Sequence, residues 1–62
     1  MSPLYQMHLS AHKTIFDLKE ACLELAKRLD QEGADYEEVR AAYVQAEKYY
    51  DVLRTLEEFV ID

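Results

Sequence analysis

The sequence predicts an all-α fold, an antiparallel two-helix hairpin, from three observations. Apolar residues recur in alternating steps of four and three along two long stretches, as in amphipathic helices. The only glycine, Gly33, separates these stretches where a helix would end in a left-handed residue. Asp35 follows, with Glu38 three residues later, in the pattern of a capping box that begins a new helix. We therefore predict helix 1 at about 3–31, a turn at about 32–35 and helix 2 at about 36–60.

The sequence allows two starts for helix 1. Ser2 followed by Pro3 is a favourable opening, because serine caps a helix well and proline suits its first position. Ser10 is a second possible cap, although Lys13 stands where glutamate or glutamine would be expected. With the later start, residues 1–9 would form an apolar arm in front of the helix.

The apolar stripe of helix 1 predicts the surface that packs against helix 2. A heptad line runs through Leu4, His8, Ala11, Ile15, Leu18, Cys22, Leu25 and Leu29. A second row at seven-residue spacing, Leu9, Phe16 and Leu23, lies beside it, with Ala26 partly filling the gap. The apolar face is therefore wider than one helix–helix contact requires.

Helix 2 shows the same organisation. Its heptad line consists of Val39, Ala42, Ala46, Tyr49, Leu53, Leu56 and Val60. Tyr36, Tyr43 and Tyr50 form a flanking row, and Val52 and Phe59 flank the other side. Glu37 and Glu38 fall in the first turn, where the helix dipole favours negative charge.

The length of the chain predicts that the hairpin needs further support. Sixty-two residues allow one domain, 1–62, and a domain of this size buries only about 60% of its unfolded surface. A single cysteine, Cys22, excludes an intramolecular disulfide. Since the flanking rows would stay exposed on a monomer, we predict a homodimer that forms a four-helix bundle, or a hairpin completed by another protein.

The charge of the chain argues against several classes of partner. Thirteen acidic and seven basic residues give a formal net charge of −6, which opposes binding to DNA, to RNA and to anionic membranes. The chain has neither a secretory signal pattern nor a bilayer-spanning apolar run. We therefore expect a cytoplasmic protein that binds no DNA and no membrane.

Candidate chemical groups are few. His8 and His12 are four residues apart and would project from one helix face, but two ligands do not close a metal site. We interpret His8 as a helix-face or interface residue and His12 as a solvated neighbour. Cys22 is interpreted as a small buried side chain, with an interchain disulfide or redox role as the alternative. We expect no catalytic residue, no metal and no cofactor, because no nucleophile–base pair or phosphate loop is present.

The residues predicted to bind a partner or a second copy share the flanks of the two heptad lines. Tyrosine and arginine are frequent among interface hot spots, and Arg40 and Arg54 lie near the tyrosines. The predicted interface residues are Leu9, Phe16, Leu23, Tyr36, Tyr43, Tyr49, Tyr50, Val52 and Phe59.

These features predict a non-enzymatic interaction module, that is, a small acidic adaptor, chaperone, inhibitor or regulator. In length and architecture the chain resembles the RNA-binding hairpin dimers of plasmid copy control, which gives RNA regulation as an alternative. Its length, its heptad stripe before a glycine-containing turn and its hydrophobic second helix also resemble the co-chaperones of type III secretion needle subunits. A third alternative is a nucleic-acid mimic, with rows of carboxylates at Asp17, Glu20 and Glu24 and at Glu47 and Asp51.

Overall fold

A computed structural model describes residues 2–58, and these residues form two helices that pack against each other as a hairpin. Helix α1 spans Pro3–Gln31 and helix α2 spans Tyr36–Glu58. The structure has the earlier of the two possible starts for α1, with the Ser2 hydroxyl accepting a hydrogen bond of 3.1 Å from the Tyr5 N–H. The predicted end of helix 2 near residue 60, including Phe59 and Val60, lies outside the described residues.

The turn confirms the role predicted for Gly33. Its φ is +80°, in the left-handed region that glycine adopts without strain. The Gly33 N–H donates to the carbonyl of Asp30 at 3.2 Å, and the Ala34 N–H donates to that of Leu29 at 2.9 Å. These two bonds form a Schellman motif, which satisfies carbonyls that the end of α1 would otherwise leave free.

Helix α2 begins directly after this motif. The N–H groups of Glu38 and Val39 donate to the backbone carbonyl of Asp35, at 3.0 and 3.2 Å. Glu37 and Glu38 occupy the first turn, where their charges interact favourably with the helix dipole. The chain therefore reverses direction within four residues, and the two helices lie side by side along most of their length.

The core between the helices is built mainly from alanine. The buried apolar residues are Ala26 of α1 and Ala42, Ala46 and Leu53 of α2. Small side chains let the helix backbones approach closely, but each removes little apolar area from water, where burial stabilises by about 25 cal/mol per Å². The hairpin therefore has a close contact and only a small hydrophobic core.

The contact line of α1 differs from the predicted one at three positions. Leu4, Leu18 and Leu25 were expected between the helices, but their exposed fractions are 60%, 42% and 51%. Ala26, which was expected only to fill a gap, is fully buried. Adjacent residues are about 100° apart around a helix, so burial of Ala26 beside an exposed Leu25 means that the side of α1 meeting α2 lies nearer to Ala26 than the predicted line does. Helix α2 follows the predicted line, with Ala42, Ala46 and Leu53 buried.

The hairpin is a single layer of two helices, with Cα extents of 47 × 15 × 9 Å. No third element covers either broad face among residues 2–58. As a consequence, large apolar side chains remain exposed on both faces, and these two faces are the candidate sites.

Candidate protein-interaction surfaces

The first surface, here called the tyrosine face, combines one flanking row from each helix. Leu9, Phe16 and Leu23 come from α1 at seven-residue spacing, and Tyr36, Tyr43 and Tyr50 come from α2. Seven residues are almost two turns of an α-helix, so each row projects from one side of its helix. Leu23, Tyr43 and Tyr50 line the same groove, which places the two rows on the same broad face of the hairpin.

This groove lies between the helices at the middle of the face. Leu23 forms one wall and the rings of Tyr43 and Tyr50 form the other, with the buried Ala46 as the floor. The groove has a volume of about 310 Å³ and is open to solvent. An alanine floor leaves room for an inserted side chain, and tyrosine walls offer apolar ring surface together with a hydroxyl that stays wet.

Lys19 lies at the α1 edge of the groove. Its ammonium is 4.3 Å from the centre of the Phe16 ring and 3.4 Å from a carboxylate oxygen of Glu20. Only 16% of its side chain is exposed, because the aliphatic stem packs along the groove while the charge remains at its edge. The Lys19 stem therefore adds to the apolar surface next to Phe16 and Leu23.

Charged residues border the tyrosine face in two heptad rows that the analysis of the sequence had missed. On α1 the row is Lys13, Glu20 and Lys27, and on α2 it is Arg40, Glu47 and Arg54. Both rows read basic, acidic, basic, with successive charges about 10 Å apart along the helix. Heptad spacing is the signal that would have found them, had it been applied to charged as well as to apolar residues.

The register of the hairpin aligns these two rows. Since His12 contacts Glu57 and the helices run in opposite directions, Glu20 lies within about two residues of the level of Glu47, which is about 3 Å along the axis. The same offset applies to the basic residues at both ends. On both sides of the tyrosine face, the charges therefore follow the order basic, acidic, basic, and the two rows are aligned at matching heights along the helix axes.

Three of the four basic residues in these rows have no ion-pair partner among residues 2–58. Lys13 contacts Asp17 at 3.1 Å, in a pair whose side chains are both exposed. Among residues 2–58, no carboxylate lies within 4.0 Å of the charged groups of Lys27, Arg40 or Arg54. Their charges are therefore free to interact with a molecule that docks on the tyrosine face.

The second surface, here called the leucine face, lies mainly on α1. Exposed apolar residues continue at steps of three and four through Leu4, Met7, Leu18 and Leu25, with Ala11, Thr14 and Ala21 at the positions between them. Leu18 and Leu25 are two residues from Phe16 and Leu23, which places them about 160° away around the helix. The stripe carries no charged residue from position 4 to position 25.

The structure separates the predicted interface residues into three groups. Leu9, Phe16, Tyr36, Tyr43 and Tyr50 are exposed on the tyrosine face, and Leu23 is half-buried there. Tyr49 is half-buried near the contact between the helices. Val52 is exposed, but it is two residues from Tyr50 and so lies on the side of α2 that adjoins the leucine face. Phe59 falls outside the described residues.

The open end of the hairpin corrects the interpretation of His12. Its Nε2 atom is 3.2 Å from Oε1 of Glu57, so this side chain links the two helices and is not merely a solvated neighbour. His8, one turn earlier, is half-buried. Within residues 2–58, no group of three His, Cys, Asp or Glu side chains is placed to hold a metal ion.

Cys22 is a free thiol on the side of α1 that faces α2, where it is half-buried. Cys22 was predicted to be a small buried side chain, and the structure buries it only in part. Neither α1 nor α2 contains a segment long and apolar enough to cross a lipid bilayer, in the part of the chain that the structure describes.

Comparison with known proteins adds no relative. The chain matches no protein-family model, no curated protein and no solved structure at a significant level. The two exposed faces and the charges around them are therefore the features of the molecule that bear on its function.

Proposed function

We propose that this protein is a non-enzymatic interaction module that binds a helix of another protein on its tyrosine face. The observation that carries the proposal is the exposed groove between the helices, walled by Leu23, Tyr43 and Tyr50 over the floor at Ala46. A partner helix in such a groove packs on the layer of two helices and covers apolar side chains from both α1 and α2.

The energetics of the hairpin support this role. Twelve large apolar residues among the described ones are more than one third exposed, whereas the buried core has three alanines and one leucine. Exposed apolar patches of this kind on a small domain are typical of interaction sites. Covering them would also stabilise the hairpin, since a ligand that binds only the folded state shifts the folding equilibrium.

We further propose that the leucine face is where two copies associate into a four-helix bundle. The stripe from Leu4 to Leu25 is apolar or uncharged throughout, so two copies meet no like charges along its centre. This assignment leaves the tyrosine face of each copy open to its partner protein. The role as adaptor, chaperone, inhibitor or regulator then depends on what the bound helix does in its own protein.

A peptide-display experiment tests the proposed function. A library of displayed amphipathic helices is selected on the immobilised protein, and the enriched peptides are then measured by fluorescence anisotropy. We expect Tyr43→Ser to weaken binding by at least about tenfold, because a buried aromatic anchor contributes roughly 2 kcal/mol or more. The matched control is Val52→Ser, an exposed apolar residue on the side of α2 that adjoins the leucine face. Equal binding by wild type and Tyr43→Ser would contradict the proposal.

RNA binding is the alternative that the charge distribution addresses most directly. Four of the seven basic residues are in the two rows beside the tyrosine face, yet Glu20 and Glu47 interrupt both rows. A phosphate backbone requires a continuous basic surface, so these rows favour a protein partner. Retention of RNA in a gel shift at low salt, lost in Arg40→Gln, would reverse this preference.

A further inference from the structure

We infer that the helix bound on the tyrosine face carries charges in the order acidic, basic, acidic at heptad spacing along its edges, and that it is not a second copy of this chain. This inference rests on the proposed function, since it names the chemistry of the partner at the same site. It follows from the two charged rows beside the groove.

The first step is the match between the rows and a helix in the groove. A docked helix runs parallel to the axes of α1 and α2, so one edge faces the row Lys13, Glu20 and Lys27. Its other edge faces the row of α2, Arg40, Glu47 and Arg54. Each row presents a basic residue at both ends and an acidic residue in the middle, although on α1 the middle residue, Glu20, is 3.4 Å from the Lys19 ammonium. Opposite charges on the docked helix therefore repeat every seven residues, the spacing that keeps them on one side of it.

Second, three basic residues of the two rows have no ion pair within residues 2–58. Lys27, Arg40 and Arg54 have no carboxylate within 4.0 Å among residues 2–58. Binding of a complementary helix therefore does not first require breaking ion pairs at these three positions. The tyrosine face in this way attracts carboxylates locally, although the whole chain has a net charge of −6.

The third step excludes a second copy of the chain at this face. In a two-fold dimer with its axis along the groove, the row of α1 meets the row of α2 from the other copy. In a dimer with its axis across the groove, each row meets itself in reverse. Because both rows read basic, acidic, basic at the same levels, full overlap places like charges opposite each other in either arrangement. Like-charge contacts of this kind disfavour self-association.

The pattern also defines the size of the bound helix. Each row spans 15 residues of its helix, and its first and last residues are about 21 Å apart along the axis. A partner helix of about four turns is long enough to meet all three levels. The order acidic, basic, acidic reads the same in both directions, so the charges select the helix without deciding its orientation. The apolar stripe of that helix packs on Phe16, Leu23, Tyr43 and Tyr50.

Three stapled helical peptides with one common apolar stripe test the inference. In the matched peptide both edges read Glu, Lys, Glu; in the inverted peptide they read Lys, Glu, Lys. In the permuted peptide the composition is that of the matched peptide, but both edges read Glu, Glu, Lys. The net charge of −6 attracts the inverted peptide in general, so a preference for the matched peptide has to come from the local pattern.

Fluorescence anisotropy at physiological salt is expected to show that the matched peptide binds about tenfold more tightly than either of the others, since several exposed ion pairs act together. Arg54→Glu is expected to weaken binding of the matched peptide several-fold and to strengthen binding of the inverted peptide. Lys48→Glu is the matched control, because it makes the same charge change on the outer side of α2. It should leave the order of the three affinities unchanged.

Each other result overturns the inference. Equal affinities, preference for the inverted peptide, or no binding by the matched peptide would all show that the rows do not select the partner. If the peptides bind equally and Tyr43→Ser abolishes binding of all three, the proposed function stands and only the charge pattern fails. If Tyr43→Ser has no effect on any bound peptide, the tyrosine face is not the site and both proposals fail. A dimer of the wild-type chain that is lost in Tyr43→Ser and kept in Leu25→Ser would show that a second copy occupies the tyrosine face.

Discussion

The two broad faces of this hairpin differ in charge far more than in apolar character. The tyrosine face draws on both helices, contains a groove and has a charged row on each side. The leucine face lies mainly on α1 and has an uncharged stripe from Leu4 to Leu25. Exposed apolar area supports the proposal that each face is covered, whereas the charges around each face distinguish between the proposed occupants.

We expect the largest effect from a substitution that unfolds the hairpin itself, because both faces depend on the packing of its two helices. Leu53 is the one large side chain buried between the helices among the described residues, and truncating a buried leucine costs about 2–5 kcal/mol. That is a large part of the total stability of a small domain. We expect Leu53→Ala to be largely unfolded at room temperature by circular dichroism. The exposed Val44→Ala is the control, and an unchanged urea midpoint for Leu53→Ala would contradict the described core.

We expect the next largest effects from one substitution on each face, with dimerisation and peptide binding both measured for each variant. Leu25→Ser should weaken dimerisation by at least about tenfold, because it places a polar group in an apolar contact. The same change should leave binding of the matched peptide within about twofold. Tyr43→Ser should weaken binding of the matched peptide and leave dimerisation nearly unchanged. Analytical ultracentrifugation and anisotropy measure the two equilibria, and a variant that impairs both equally would show that the faces are not independent.

The turn provides a test that concerns both faces equally. Gly33 has a φ of +80°, with open space where a Cβ would be. Gly33→Ala should therefore destabilise the hairpin by about 1–2 kcal/mol through backbone strain alone. Gly33→Asn should lose less stability than Gly33→Ala, since asparagine tolerates the left-handed region better than alanine does. Urea denaturation measures both, and equal stability of the alanine variant and the wild type would contradict this turn geometry.

The smallest expected effect is at the open end. The pair between His12 and Glu57 is partly exposed, with 34% and 63% of the two side chains accessible, and pairs of this kind contribute about 0–1 kcal/mol. His12→Ala should shift the urea midpoint slightly and leave peptide binding unchanged. A loss comparable to that of Leu53→Ala would show that this link stabilises the hairpin more than its exposure indicates.

How far the sequence predicts this molecule differs between its two helices. The caps at Ser2 and Gly33 depend on local chemistry, so they are visible in the sequence and agree with the structure. The contact line of α2 also agrees with the structure, since Ala42, Ala46 and Leu53 are buried. On α1 the apolar arc is wider than the contact, and periodicity alone does not decide which part of it meets α2. The structure identifies that part, because Ala26 is buried while Leu18 and Leu25 are exposed.

That the nine residues form an interface stays a prediction, whereas the grouping of the described ones into faces is visible in the structure. Helical periodicity already places Tyr50 and Val52 on opposite sides of the predicted line of α2, but only the packing of the helices shows which residues of α1 share a face with each of them. The contact between His12 and Glu57 joins residues 45 positions apart, so no local pattern indicates it. The charged rows were visible at heptad spacing, but their alignment across the groove depends on the same long-range register.

The most direct test of the central claim is the mass of the chain in solution, measured by size-exclusion chromatography with light scattering at micromolar concentration. The claim is that the hairpin exposes more apolar helical surface than it covers and therefore associates through its faces. We expect a wild-type mass of twice 7.3 kDa, reduced to the single-chain value by Leu18→Ser with Leu25→Ser and unchanged by Tyr43→Ser. A wild-type mass of 7.3 kDa, with a cooperative melt whose midpoint does not depend on protein concentration, would contradict it.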